Sequence, residues 1–211
     1  MGFAYWTSLE VLFSILFFYF LVCVEVGFFN RLGYSIGTPG LWSSAHAANA
    51  WQAFGALTFM LGWSLWVGRD HLARIWRLVR RGDPAIDDRE ELFSYRTAIY
   101  GTLLGGCFVV GWLHASGMDL HVILPFLIGM TILYLGVARV MAETGLVYLR
   151  GTVMPPSFAL FTLGSAAIRP ASMATLAYSF AYFTDAKSLA MASSAHIARI
   201  AAAVRGSKRP T

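Results

Sequence analysis

Several ionisable residues stand where an apolar chain has reason to place them only for a purpose. Arg139 and Glu143 lie at i and i+4 at the end of an apolar run, within Arg139-Val-Met-Ala-Glu-Thr-Gly-Leu-Val-Tyr148. That spacing puts a guanidinium and a carboxylate on one helix face, close enough to pair. Gly145 follows and frees the backbone, and Tyr148 adds a hydroxyl just beyond the break. Two chemistries fit. In one, Glu143 contacts a cation or proton while Arg139 holds it, and the segment binds or gates a solute. In the other, an interfacial ion pair closes a helix. Glu25, late in the first apolar run and near Asn30 and Arg31, is likewise either a carboxylate in an ion path or one reaching the nearby interface. Arg169, followed by Pro170, divides two short apolar pieces.

The elements that must position these groups belong to a membrane. Of 211 residues, 57% are hydrophobic, 15% aromatic and 13% charged. A soluble domain carries about 25% charged residues. With charge halved and mean hydropathy at +0.61, the chain cannot cover a water-facing surface. Soluble enzymes, nucleic-acid-binding domains and disordered proteins are excluded. The net charge of +5 is matched by Lys187, Arg199, Arg205, Lys208 and Arg209, in a tail that has no acidic residue after Asp185. A basic tail on an apolar body marks a cytoplasmic flank.

A helix needs about 20 mainly apolar residues to cross the hydrocarbon core. The runs at about 9–29, 47–67, 97–113 and 122–138 predict four full spans in an all-α, polytopic membrane domain covering 1–185. Arg69, Arg74, Arg77, Arg80 and Arg81 follow the second span and hold segment 69–91 in the cytoplasm. Leu72, Ile75, Trp76, Leu78 and Val79 alternate with them, which predicts that the second span continues as a basic amphipathic helix on the headgroups. Asp83-Pro84 ends it, and Asp87, Asp88, Glu90 and Glu91 precede the next helix. Both termini are then cytoplasmic. Segment 152–184, with Pro155-Pro156 and Arg169-Pro170, is either one broken span or a re-entrant pair of half-helices. The second choice keeps the basic tail 186–211 inside and is the expectation.

In this topology His46, His114, Asp119 and His121 map to the outer side. Their side chains are metal ligands by type, yet their spacing matches no zinc motif. A bis-histidine haem needs two histidines facing each other across a helical core. No cofactor is expected. Cys23 and Cys107 sit in apolar runs with neither metal nor disulfide spacing. No Ser/His/Asp set, P-loop or pair of intramembrane acids is present, so an enzyme is not expected. Gly101, Gly105 and Gly106, with Gly111 beyond, suit close helix packing in the third span.

The order Glu91-Leu-Phe-Ser-Tyr-Arg-Thr-Ala98, the glycine-rich span through Trp112, Gly117-Met118, Ala138-Arg139 and Ala142-Glu-Thr-Gly-Leu146 resembles the C-terminal part of a large, uncharacterised prokaryotic membrane family with oligopeptide-transporter-like architecture. The resemblance covers the chain from the first span to about Gly151. It implies a transporter-type fold in the inner membrane of a prokaryote, built of two related halves. This chain would then be a terminal fragment, a split subunit or a reduced relative. The resemblance also marks Tyr95, Arg96, Arg139, Glu143 and Gly145 as important, without a catalytic role. The expected function is transport of an unidentified small solute, by a homo-oligomer or with a missing half. The other expectation is a non-transporting subunit that anchors or stabilises a larger complex. The lipid bilayer is the one partner common to both, and nucleic acid is not a partner.

Overall fold

The computed structural model describes residues 8–34, 46–81, 94–145, 149, 151–184, 194, 197 and 200. Among the described residues there is no strand. The elements are α1 (Leu9–Leu32), α2 (Ala47–Val67), α3 (Arg69–Arg81), α4 (Tyr95–Ala115), α5 (Leu120–Thr144), α6 (Pro155–Leu163), a 3-10 turn (Ser165–Ala167) and α7 (Pro170–Thr184). Three of them, α1, α4 and α5, are long and apolar enough to cross a membrane. α2 has 21 residues and so a length of about 31 Å, but Gln52, Trp51, Trp63 and Trp66 dilute its hydropathy.

The ends of these helices have local causes. α1 runs past the expected boundary at residue 29 and stops at Gly33, whose φ of 66° is left-handed. α4 begins where the Ser94 hydroxyl accepts the Thr97 N–H at 3.2 Å. α5 continues beyond residue 138 to Thr144 and ends on Gly145 at φ 72°. The basic helix continues from α2 across Gly68, whose N–H donates to Ser64 O and whose carbonyl accepts the Leu72 N–H, both at 2.9 Å. Gly68 separates α2 from α3, while the guanidinium of Arg69 lies 4.7 Å from the Trp66 ring centre. Segments 82–93 and 185–193 lie outside the described residues. So does most of the basic tail, where only Ser194, Ile197 and Ile200 are described, all three helical.

The core is built around α5. Val122, Ile123, Phe126, Leu133, Val137 and Met141 are buried along it, with Met118, Met154, Ala159, Ile168, Leu176 and Phe183 packed against them. α2 joins through Ala50 and Phe54, and the Trp51, Phe54, Phe158 and Phe161 rings meet edge-on or tilted between α2 and α6.

Segment 151–184 folds back on α5. Gly151 lies so close to Leu133 that a side chain there would overlap it. Phe158 packs at Gly129, the Ala167 carbonyl meets His121, and Arg169 meets Asp119. The chain therefore climbs antiparallel to α5 from its middle to its N-terminal end. α7 then turns back, and the Phe183 ring reaches Phe126 and Tyr134. α6, at nine residues, is about 14 Å long, and α7, at 15, about 22 Å. Before α6, residues Val153 and Met154 are buried in non-helical backbone.

Candidate functional site

The densest polar cluster joins the α4–α5 turn to the start of α7. The turn is made by Gly117, whose φ of 93° is left-handed and favours a residue without a side chain. Met118 N–H closes the turn on Leu113 O at 3.1 Å. Asp119 precedes α5, and one carboxylate oxygen accepts from Arg169 Nη1 at 3.0 Å. The other accepts from the Ser172 hydroxyl at 2.8 Å. Ser172 is fully buried, and its Oγ also accepts the Asp119 backbone N–H at 3.0 Å. One turn further, Thr175 donates to Ser116 O at 2.9 Å. The Ser172 hydrogen bond first, and the positive fields of Arg169 and His121 with it, hold Asp119 below the usual carboxylate range against partial desolvation.

The histidines around this cluster serve backbone carbonyls. His114 Nδ1–H donates to Met118 O at 3.2 Å, and His121 Nε2–H to Ala167 O at 3.3 Å. His46 stands before α2, by a different turn. Among the described residues no group of three His, Cys, Asp or Glu side chains could hold a metal.

Arg139 and Glu143 form the i,i+4 pair that their spacing implies, at 2.8 Å, with both side chains well exposed. This pair lies about 30 Å along α5 from Asp119. The candidates Arg139, Glu143 and Gly145 therefore gather at one end of α5 and Arg169 at the other. Tyr148 lies outside the described residues. Tyr95 opens α4 with its ring 6.3 Å from that of His71 on α3, so the basic helix sits at the start of α4, and Arg96 is exposed beside it. Glu25 lies beside α2, where its carboxylate accepts a hydrogen bond from the Gln52 side-chain amide.

A groove of about 730 Å³ opens between α4, α5 and α7. Phe108, Trp112, Phe126 and Met130 make it apolar, and Ser116, Thr175, Ser179, Tyr134 and Tyr178 supply its hydroxyls. In the buried stretch before α6, Thr152 Oγ1 is sealed from solvent and has no hydrogen-bond partner among the described residues. Such a group costs free energy unless something claims it.

Sequence reasoning placed packing glycines on α4; among the described residues nothing lies within 4 Å of a Cβ placed at Gly101, Gly105, Gly106 or Gly111, which leaves that face of α4 open. The close contacts are at Gly129, against Phe158, and Gly136, against Leu57. Their seven-residue spacing on one face of α5 was the available signal. Ser172 and Gln52 were also missed, since each matters only through a partner distant in sequence.

Neither a curated protein nor a solved structure matches this chain. One family does, over residues 1–211, and its description assigns no activity. The chain belongs to that family, described as "Family of unknown function (DUF6785)".

Proposed function

We propose that this is an integral protein of a prokaryotic inner membrane that moves a small solute, as a homo-oligomer or as one part of a larger transporter. The observation that carries the reading is the interrupted unit on α5. Non-helical backbone is buried half-way along a membrane-length helix and leads into two helices too short to cross alone. Such backbone is tolerated at membrane depth only where protein or a watery cavity covers it. Discontinuous helices of this kind build solute sites in transporters, and the unclaimed Thr152 hydroxyl lies at the break.

In this reading α1, α2, α4 and α5 are four full spans. Segment 151–169 runs back beside α5 in two pieces, α7 returns, and both termini are cytoplasmic beside the arginines of α3. The Asp119–Arg169–Ser172 cluster fixes the outer end of the interrupted unit. Arg139 and Glu143 stand at its inner mouth.

Thiol accessibility tests the path. In a protein whose Cys23 and Cys107 are replaced by serine, Thr152→Cys, at a position sealed from solvent in this structure, is expected to react with a charged, membrane-impermeant thiol reagent in sealed vesicles once added solute drives the path open. A cysteine at this depth that stays unreactive from both sides would overturn the path.

A second reading, a non-transporting membrane subunit, has its own support. No residue of α1 is buried, and the glycine face of α4 is open. Another protein packed on these faces would account for both. Gentle extraction followed by mass and composition of the particle separates the readings. A stoichiometric foreign chain, lost when Gly101 or Gly105 is enlarged, favours the subunit.

A further inference from the structure

We propose that α3 is a docking surface for anionic phospholipids: its arginines take their phosphates while its apolar side enters the acyl boundary. The proposal goes beyond the transport reading and holds equally for a non-transporting subunit, because it uses only α3 and the helices on either side of it.

The helix carries five arginines against one aspartate in 13 residues. Their order makes two faces. Leu72, Ile75 and Trp76 stand at i, i+3 and i+4 and share one side, while Asp70, Arg74 and Arg77 stand at i, i+4 and i+7 and share the other. Leu72 is 47% exposed and Trp76 56%, so the described residues leave much of the apolar side uncovered. The charges are little used as well. Arg69 lies over the Trp66 ring and 3.9 Å from Asp70. Arg77 turns one N–H to Ala73 O of its own helix, and Arg74 makes no ion pair among the described residues.

Length and contact put this helix at the bilayer surface. α2 and α3 follow one another across Gly68 over residues 47–81, about 52 Å of helix against a hydrocarbon core of about 30 Å. Arginines are costly in that core, so α3 is the end that leaves it. Gly68 has a ψ of 0°, away from the helical value of about −42°, and the axis bends there. The His71 ring lies 6.3 Å from that of Tyr95, the first residue of α4. α3 therefore starts level with the end of another membrane-length helix. An acidic protein or a nucleic acid would satisfy the arginines but leave Leu72 and Trp76 in water. A zwitterionic surface would cover the apolar side but offer the arginines no net charge. Anionic headgroups above an acyl boundary answer both faces at once, and a guanidinium pairs with a phosphate through two parallel N–H donors.

The test uses the full chain with Cys23 and Cys107 replaced by serine, reconstituted in vesicles of phosphatidylcholine alone or mixed with phosphatidylglycerol. A nitroxide on Leu72→Cys reads depth through its collisions with oxygen and with a water-soluble nickel chelate. With phosphatidylglycerol present the label is expected to be shielded from the chelate. In phosphatidylcholine alone, or at high salt, it is expected to move towards water. Arg74→Gln with Arg77→Gln should abolish that difference, and Arg74→Lys with Arg77→Lys should keep most of it. Extracted in mild detergent, the double glutamine variant should also retain less phosphatidylglycerol per chain, on the order of fivefold less for each arginine replaced. Equal access of the chelate in the two lipids overturns the proposal. A label in water in both would point to a soluble partner, and a label shielded in both to an apolar contact indifferent to headgroup charge.

Discussion

Arg169 and Asp119 lie 3.0 Å apart across 50 residues of sequence. Their contact ties the start of α7 to the start of α5, and it sets how far segment 151–169 climbs along α5. The buried Ser172 completes the tie by serving the Asp119 carboxylate and backbone together.

Ser172→Ala should therefore loosen the Asp119 end of the interrupted unit. It leaves the Asp119 backbone N–H without its acceptor, at a cost of about 1–3 kcal/mol. Thermal unfolding of the purified protein should show a lower midpoint, with α7 the first element to lose protection in hydrogen exchange.

The tie should also weaken in acid. Asp119 is held below the usual carboxylate range in the folded protein. Its contribution is thus fully present above the unfolded value of about 3.9 and is lost as pH falls through the lower, folded value. Thermal midpoints across acidic pH should drop more steeply for the native protein than for Asp119→Asn. Parallel curves would remove Asp119 from the account.

Arg139 and Glu143 invite the opposite expectation. The pair is exposed on both sides, and exposed pairs contribute about 0–1 kcal/mol. Glu143→Gln should insert and fold normally. If the transport reading holds, it should still abolish solute uptake; unchanged uptake would take Glu143 out of the path.

Glycine enlargement separates internal packing from external faces. At Gly136 a Cβ would meet Leu57 at 3.1 Å, and at Gly129 it would meet Phe158 at 3.0 Å. Leucine at either position should destabilise by about 1–3 kcal/mol through overpacking, seen as a lower midpoint. Gly105→Leu meets open space and should leave the fold of a single chain unchanged. Loss of an assembled particle in that variant, by size and composition in detergent, would identify the α4 face as an interface.

Much of this protein is local and so could be read from the chain alone. The α2 boundaries follow from an uncharged apolar run. The Arg139–Glu143 pair follows from one helical turn, and the stop at Gly145 from a residue that tolerates left-handed backbone. Composition was enough to call for membrane-length helices, because charge and hydropathy are sums over residues. Tertiary structure alone decided that Arg169 belongs with Asp119 and not with Arg139, that Glu25 bonds to Gln52, and that Gly129 and Gly136 of α5 take the close approach of Phe158 and Leu57. Each of those depends on which helices lie side by side. A glycine or a carboxylate has the same local signal whether a neighbour approaches it or not, and only the fold of segment 151–184 back onto α5 supplies the neighbour.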